Sequence, residues 1–300
     1  MKNVGVCKLA LGSAQFGMQY GIANRAGQPR AENVSEILRR GEGAGIHVLD
    51  TAHAYGEAEA MLGQALAGNR RFKIVSKTLP VRRDVVTPGD MTQLNVAFRT
   101  TLDRLGSRDL YALLVHHADD LLGPGGDRLW SWMESLKSEK VVNKIGVSVY
   151  SPDQLEKAVD RYDIEIVQLP YNIYDQRFAR AGLLDGLQAA GIEVHSRSVF
   201  LQGLLLLAPG QLPAQFESIR SLQARLHESL AKAAMTPLAG CLSVCLNDPR
   251  IDFVVVGCES LRQIDEIIKS AVQTHACQDL EQFALDDEVI IDPSRWTNIQ

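Results

Sequence analysis

Residues 47–57 read HVLDTAHAYGE, a short apolar run that ends abruptly at Asp50 and is followed by His53 and Tyr55. Short runs of this length that are rich in β-branched residues are typical of strands buried on both faces, as in parallel sheets. A polar residue at the end of the run lies where the strand leaves the sheet. The stretch therefore predicts a buried parallel strand whose end carries functional side chains.

Further runs of the same kind recur at fairly even intervals along the chain. The eight predicted strands cover residues 7–11, 46–50, 72–77, 110–115, 144–149, 164–169, 192–197 and 253–257. Apolar residues at spacings of three and four predict helices between them, over residues 33–45, 57–68, 91–106, 128–140, 152–161, 179–191, 215–233, 236–247 and 260–271. Gly45, Gly106 and Gly191 stand where helices are expected to end.

This alternation of strands and helices predicts a (β/α)8 TIM barrel, an α/β fold built on eight parallel strands. A doubly wound open sheet is the main alternative. It needs a glycine-rich phosphate fingerprint after an early strand, and LGSAQFG at residues 11–17 lacks the G-x-G-x-x-G spacing. No change in composition marks a boundary, so we expect a single domain over residues 1–300.

The composition limits the classes of partner. The 300 residues are 46% hydrophobic and 22% charged, with a formal charge of −5, which is ordinary for a globular protein and offers no basic surface for nucleic acid. We see no signal sequence and no run that approaches a membrane span, so we expect a cytoplasmic protein with a small-molecule ligand. The five cysteines contain no C-x-x-C pair and suggest neither disulfides nor a zinc site.

Polar side chains close three successive predicted strands, which end at Asp50, Lys77 and at His116 with its neighbour His117. Taken singly, each has an ordinary structural explanation, as a helix cap, a salt-bridged lysine or a core histidine. The carboxyl ends of barrel strands meet at one face, where active sites of this fold lie. We therefore expect Asp50, Lys77 and His116 to converge there, with Tyr55 in the adjoining loop.

These four residue types make chemical sense together. Tyrosine has a reference pKa near 10, and a lysine cation close by would lower that pKa and favour proton transfer at neutral pH. A buried lysine tends to lose its charge, and a carboxylate such as Asp50 would keep Lys77 protonated. His116 would then hydrogen-bond the substrate oxygen and orient it. The constellation predicts a site for proton transfer to or from an oxygen.

The chain resembles the aldo-keto reductase family over nearly its whole length. The matching motifs are LDTAHAYGEAEAMLG (49–63), KIVSK (73–77), DLYALLVHH (109–117), IGVSVYS (145–151), VQLPYNIYDQR (167–177), RSVFLQGLL (197–205) and FVVVGCESLRQIDEI (253–267). The resemblance implies that an aldehyde or ketone, with a sugar-derived carbonyl as one candidate, is reduced to an alcohol. It implies Tyr55 as the general acid, Lys77 and Asp50 as the pair that tunes it, and His116 as the residue that orients the substrate.

The resemblance also implies a nicotinamide cofactor, NADP(H) with NAD(H) as an alternative, held over the barrel mouth without a Rossmann fold. The implied cofactor-binding residues are Ser148, Gln168, Arg197, Ser198, Phe200, Gly203, Gly257, Cys258, Arg262, Gln263 and Glu266. No metal is implied. Arg262 is expected to contact the 2′-phosphate of NADPH, with only a modest preference over NADH.

Several of these positions depart from the family pattern. Val149 replaces a common asparagine, and Arg197 takes the position of the aromatic residue that stacks on the nicotinamide. Gln263 and Gly257 replace a common arginine and a common lysine. A guanidinium plane can also stack, but its electronic properties differ from those of an aromatic ring.

Three other functions stay open at this point. Lys77 could act as the nucleophile of a Schiff-base aldolase, although Asp50 favours its charged form. A metal-dependent hydrolase would use His53, His116, His117 and Asp50, although the H-x-H usual at a first strand end is missing. The chain could also be a non-catalytic nucleotide-binding regulatory subunit.

Two segments are candidates for contacting the substrate. The loop over residues 17–33 carries Tyr20, Asn24, Arg25 and Arg30, and either closes over a polar or anionic substrate or is a solvated surface loop. Residues 278–300 follow the last helix and would place Trp296 in the pocket wall. The oligomeric state is not predicted.

Overall fold

Eight parallel strands form a closed barrel in sequence order, which confirms the predicted fold. The computed structural model describes residues 4–22, 24, 27–66, 68–69, 71–273 and 280–296. Its strands are β1 (Leu9–Gly12), β2 (Val48–Asp50), β3 (Lys73–Lys77), β4 (Leu110–Val115), β5 (Val142–Ser148), β6 (Ile166–Pro170), β7 (Glu193–Arg197) and β8 (Phe253–Gly257). The ring closes where β1 pairs with β8, with Gly12 opposite Gly257.

Helices surround the barrel and follow the strands in turn. The described α-helices are α1 (Val4–Cys7), α2 (Ala14–Gly17), α3 (Ala31–Ala44), α4 (Ala58–Leu66), α5 (Pro88–Leu105), α6 (Ala118–Leu122), α7 (Gly126–Ser138), α8 (Pro152–Arg161), α9 (Arg177–Arg180), α10 (Leu183–Ala190), α11 (Arg220–Lys232), α12 (Pro237–Leu246), α13 (Leu261–Val272) and α14 (Glu288–Ile291). Short 3-10 helices cover Leu201–Leu206, Pro209–Gln211, Ala214–Ile219, Leu280–Phe283 and Pro293–Arg295.

Most predicted elements lie within a few residues of the observed ones. β4, β8 and α8 have the predicted bounds, and α3, α5 and α10 end at Gly45, Gly106 and Gly191 as expected. The helix predicted over residues 179–191 is wrong as a single element. It is divided into α9 and α10 because Gly182 has a φ of 71°, a left-handed conformation that interrupts the helix.

The apolar core has two parts because side chains on a strand point alternately to its two faces. A small cluster fills the inside of the barrel; its buried members are Ala10, Val48, Val75, Ala112, Leu114 and Ile166. A much larger cluster lies between the strands and the surrounding helices. The barrel interior is therefore packed rather than hollow, and a ligand can bind only at an end.

The amino-terminal end of the barrel carries a set of polar side chains that we call the floor network: Tyr111, Lys144, Glu193 and His195. One oxygen of the Glu193 carboxylate accepts hydrogen bonds from the Tyr111 hydroxyl and the Lys144 ammonium, each at 2.6 Å. The other lies 2.6 Å from Nε2 of His195. Burial tends to raise the pKa of Glu193, but these three partners together lower it to about 2. The floor network thus closes this end with a fully engaged carboxylate.

The lengths and hydropathies of the helices bear on whether one of them could span a membrane. No single helix in the described part of the chain is long and apolar enough to cross a bilayer, although Ala214–Lys232 and Pro237–Leu246 meet the requirement jointly across an 83° bend.

Candidate active site

Lys77 and Asp50 form a buried ion pair at the carboxyl ends of β3 and β2. The Lys77 ammonium donates to both carboxylate oxygens of Asp50 at 2.8 Å and to the Thr51 carbonyl at 3.0 Å. Burial lowers the pKa of Lys77, and the charge of Asp50 and its hydrogen bonds oppose that change. All three N–H donors of the ammonium are engaged, so Lys77 is held in place rather than free to react.

Tyr55 lies in the turn after β2, half-buried beside His116. Its ring meets the His116 ring edge-on with the centroids 5.7 Å apart, and Nζ of Lys77 lies 5.1 Å from the Tyr55 centroid. Burial and the negative charge of Asp50 raise the pKa of Tyr55. Asp50 also pairs with the Lys77 ammonium, and the expectation that Lys77 lowers the pKa of Tyr55 stays a prediction. The Tyr55 phenol stays protonated at neutral pH.

The turn that carries Tyr55 rests on the backbone of α2. The amide of Glu57 donates to the Gly17 carbonyl at 3.3 Å. A Cβ atom at Gly17 would lie 1.8 Å from the Tyr55 carbonyl oxygen, so only glycine allows this close approach. The position of Tyr55 is therefore set by contact between two backbones.

His116 follows β4 and is uncharged. Burial lowers its pKa to about 3, and the positive charges of Lys77 and Arg197 add to this effect. Its Nδ1 atom is buried and has no hydrogen-bond partner among the described residues. A neutral imidazole beside a protonated phenol can bind and orient a neutral oxygen.

A pocket of about 350 Å³ opens above these residues, a size typical of small-molecule sites. Twelve of the fifteen residues predicted for the site line it: Asp50, Tyr55, His116, Ser148, Gln168, Arg197, Ser198, Phe200, Gly203, Gly257, Gln263 and Glu266. The other three, Lys77, Cys258 and Arg262, do not. Lys77 is buried next to Asp50 and acts from behind the pocket surface.

Ser148 ends β5 and Gln168 lies in the middle of β6; both line the pocket and are buried. Nε2 of Gln168 donates to Asp50 at 2.6 Å, which leaves the Gln168 amide oxygen as an acceptor. A hydroxyl and an amide oxygen together fit a primary carboxamide, which has one acceptor and two donors. Val149, at the position of the family's asparagine, is buried and contributes only its backbone here.

The segment after β7 has an unusual backbone. Ser198, Leu201 and Gln202 have φ values of 58°, 47° and 54°, a left-handed region that non-glycine residues rarely adopt. Such strain persists only where the surrounding structure imposes it, and it is concentrated at functional sites. Gln202 accepts a hydrogen bond at its carbonyl from the Ile22 amide at 3.0 Å, which ties this segment to the loop after β1.

The far end of the pocket is formed by the start of α13. Glu259, Gln263 and Glu266 line it, and Nε2 of Gln263 donates to Glu259 at 3.2 Å. Arg262 faces away from the pocket, 86% exposed and paired with Glu266 at 2.8 Å. Cys258 is buried in the core. Neither Arg262 nor Cys258 lines the pocket, and the cofactor contacts expected of them stay predictions.

Six polar pocket residues were not predicted as cofactor or catalytic residues: Gln15, Tyr20, Asn24, Tyr150, Gln202 and Glu259. Only Tyr20 and Asn24 belong to a segment with a predicted role, the loop at 17–33. Gln15 follows β1 and Tyr150 follows β5, so the rule that strand ends form the site could have found both.

The structure separates the members of the two segments that are candidates for substrate contact. In the loop at 17–33, Tyr20 and Asn24 line the pocket, whereas Arg30 is exposed elsewhere and Arg25 lies outside the described residues. Trp296 is not in the pocket wall, because its ring packs on Phe216 with centroids 4.9 Å apart.

The residues considered as metal ligands do not come together in the described part of the chain. No group of three or more His, Cys, Asp or Glu side chains in the described part of the chain is placed to hold an ion. Nδ1 of His53 lies 3.3 Å from the Thr101 hydroxyl, on the helix side of the barrel wall. His53 thus does not join Asp50 and His116 in the pocket.

Comparisons with known proteins agree with this geometry. L-glyceraldehyde 3-phosphate reductase of Escherichia coli O157:H7 is 23% identical over 91% of this chain and 90% of its own length. The holo form of AKR11C1, an aldo-keto reductase from Bacillus halodurans, superposes with a TM-score of 0.73 at 22% identity, covering 92% of this chain and 90% of that one.

An aldo-keto reductase from Klebsiella pneumoniae, solved in complex with NADPH, gives a TM-score of 0.68 at 20% identity over 97% of this chain and 93% of that one. The sequence model described as the Aldo/keto reductase family matches residues 8–284, which is most of the chain. The strand-end constellation, the barrel and this match lead to one conclusion: the chain belongs to the aldo/keto reductase family.

Proposed function

We propose that this protein reduces a small aldehyde or ketone to the alcohol, using a reduced nicotinamide nucleotide and Tyr55 as the general acid. The observation that carries the proposal is the contact between the protonated Tyr55 and the neutral His116 in the pocket. Among the described residues no hydrogen bond engages the Tyr55 hydroxyl, so it is available to a ligand. Membership of an oxidoreductase family supports the same reaction.

The chain's own residues divide the work. His116 binds the carbonyl oxygen of the substrate and orients it, and Tyr55 donates its proton to that oxygen as the carbonyl carbon accepts a hydride. The buried Asp50–Lys77 ion pair lies behind Tyr55 and His116 and sets the electrostatic potential around them. The reduced nicotinamide, when bound, supplies the hydride. Ser148 and Gln168 would hold its carboxamide, and the segment Ser198–Gly203 would line its phosphates.

The nucleotide is NADP(H) in this proposal, with NAD(H) as the alternative. Two solved relatives are described with NADP or NADPH bound. In this chain Arg262 would have to leave Glu266 to reach a 2′-phosphate, and Glu259 and Glu266 place negative charge near that end of the pocket. We therefore expect both nucleotides to be accepted with little difference in affinity.

The substrate in this proposal is a small polar carbonyl compound, with sugar-derived aldehydes as one class. The name of the Escherichia coli relative, an L-glyceraldehyde 3-phosphate reductase, supports a small phosphorylated aldehyde. We further propose that residues 1–300 act as one domain in the cytoplasm.

A Schiff-base aldolase that uses Lys77 receives no support from the geometry. A nucleophilic lysine needs a free, uncharged amine, and the Lys77 ammonium donates to Asp50 and Thr51 with all its protons. A regulatory subunit that binds nucleotide without turnover stays the competing proposal.

Consumption of NADPH or NADH, followed by absorbance with a panel of small aldehydes and ketones, tests the proposal. We expect turnover with at least one compound and formation of an equal amount of alcohol. Nucleotide binding measured by tryptophan fluorescence serves as the control. Tight nucleotide binding without turnover of any compound would favour the regulatory subunit.

A further inference from the structure

We propose that Arg197 binds an anionic group of the substrate, a carboxylate or a phosphate, so that the preferred substrates are negatively charged carbonyl compounds. This inference rests on the proposed carbonyl reduction, since it names the substrate class of the same site. It departs from the role implied for this position by sequence, which is to stack on the nicotinamide.

The Arg197 guanidinium is fixed in the pocket wall at the end of β7. Nη2 donates to the Val149 carbonyl at 2.9 Å and Nη1 lies 3.3 Å from the Ser198 hydroxyl. The guanidinium carbon lies 4.0 Å from the centroid of the Tyr150 ring, so the aromatic ring covers one face of the cation. A planar, immobilised guanidinium is the group best suited to two-point binding of a carboxylate or phosphate.

Arg197 differs from the other partly buried arginines in having no counter-ion. Arg177 pairs with Asp175 at 2.9 Å and Arg250 pairs with Asp248 at 2.7 Å. No carboxylate in the described part of the chain lies within 4.0 Å of the Arg197 guanidinium. The two contacts to Val149 and Ser198 engage two of its five N–H donors, which leaves the remaining donors for a ligand.

The charges of the residues around the pocket favour binding of an anion next to Arg197. The charge of Asp50 is already balanced by Lys77, and Arg197 adds a positive charge that has no carboxylate within 4.0 Å in the described part of the chain. That charge is felt at the reacting groups, since it contributes to the low pKa of His116 and opposes the raised pKa of Tyr55. Tyr55, His116 and Arg197 line the same pocket, so a substrate held by Tyr55 and His116 through its carbonyl oxygen would share that pocket with the guanidinium. Small carboxylated or phosphorylated aldehydes carry both of the groups required.

A binding measurement tests the anion site without any reaction. Benzoate and benzamide have nearly the same shape and differ in charge, and both can be titrated into the protein by calorimetry. We expect benzoate to bind at least about tenfold more tightly than benzamide, and Arg197→Gln to remove that difference. Arg108→Gln is the matched control, because Arg108 is an exposed arginine outside the pocket wall whose loss changes the net charge equally.

Kinetics then tests the substrate class and distinguishes carboxylate from phosphate. The pairs are succinic semialdehyde with butanal, and glyceraldehyde 3-phosphate with glyceraldehyde. We expect the ratio of kcat/KM, charged over neutral, to exceed about ten for at least one pair and to fall by about tenfold or more in Arg197→Gln. Arg197→Lys, which keeps the charge but loses the planar fork, should give an intermediate ratio. Arg108→Gln should leave the ratio unchanged.

The outcomes separate this inference from the proposed reduction. Benzoate binding no tighter than benzamide binding by the unaltered protein would overturn the anion site, and this result needs no variant to fold. Equal losses for charged and neutral substrates in Arg197→Gln would also overturn it and would assign the guanidinium to the nucleotide. Benzoate binding that depends on Arg197, with no turnover of any carbonyl compound, would keep the anion site and overturn the reduction.

Discussion

The two ends of the barrel both bury charged side chains, but they satisfy them differently. At the floor, the carboxylate of Glu193 meets Tyr111, Lys144 and His195 at 2.6 Å each. At the mouth, Lys77 and Asp50 satisfy each other, whereas the Tyr55 hydroxyl has no hydrogen bond and the Arg197 guanidinium has no carboxylate among the described residues. The fully bonded Glu193 carboxylate contributes stability, although Nδ1 of His195 has no partner among the described residues, and the groups without partners at the mouth keep their bonds for a ligand.

The largest effect is expected when Tyr55, the proposed proton donor at the mouth, is replaced. We expect Tyr55→Phe to lower kcat by about 10²–10⁴-fold, the usual contribution of general acid catalysis, with little change in the free energy of unfolding. Tyr111→Phe at the floor is the matched control and should lose about 1 kcal/mol of stability while keeping kcat. Steady-state kinetics and thermal unfolding measure both. A Tyr55→Phe variant with more than about half of the original kcat would contradict the assignment.

The next largest effect is expected at Lys77, where one substitution should lower both the stability of the fold and the activity. Lys77→Met leaves the Asp50 carboxylate buried without its counter-ion, which typically costs about 3–5 kcal/mol, so we expect loss of both stability and activity. Adding Asp50→Asn removes the unpaired charge and should recover stability but not turnover. Urea unfolding of the single and double variants measures this. A double variant no more stable than Lys77→Met would show that the ion pair is not the cause.

A smaller effect is expected at the floor, and it depends on pH. The pKa of Glu193 is lowered to about 2 in the folded chain from an ordinary 4.5, so its contribution is complete above about pH 4.5 and is lost as the pH falls toward 2. We expect Glu193→Gln to cost about 2 kcal/mol at pH 7 and progressively less below pH 4.5, with kcat unchanged. The difference between the two unfolding curves across this range isolates the residue. A difference that stays constant with pH would refute the linkage.

The smallest effect concerns the exposed end of the nucleotide site. Arg262 is 86% exposed and already paired with Glu266, and surface pairs of this kind are worth less than about 1 kcal/mol. We expect Arg262→Ala to change the ratio of NADPH to NADH dissociation constants by less than about tenfold, as measured by tryptophan fluorescence. A preference of the unaltered protein above about a thousandfold for either nucleotide would mean that the 2′-phosphate site lies elsewhere.

The sequence was sufficient to predict the barrel and the convergence of Asp50, Lys77 and His116 at its mouth, for a physical reason. Runs such as 110–115 and 253–257 are buried on both faces, so their limits are set by hydrophobicity, and residues such as Asp50 and His116 are placed by the strand ends. The direction of a side chain on a helix was harder to predict. Arg262 and Gln263 are neighbours in sequence, but only Gln263 faces the pocket.

Electrostatics was the other part that sequence could not supply. Burial and the negative charge of Asp50 raise the pKa of Tyr55, and the extent of that burial is a property of the fold that residue spacing does not reveal. The lack of a counter-ion at Arg197 is likewise a property of the folded chain. Sequence identifies which groups meet, and the fold determines which of them are already satisfied.

Gly17 gives the contact between α2 and the Tyr55 turn a consequence of its own. An alanine at this position would need its methyl group where the Tyr55 carbonyl oxygen lies 1.8 Å away, so the two segments would have to separate. A shift of about 1 Å at a reacting group can cost about 10²-fold in rate. Gly17 has no reactive side chain, but the space left by its single hydrogen atom governs the alignment of Tyr55. A search for inactivating mutations that considers only ionisable or nucleophilic side chains would miss Gly17.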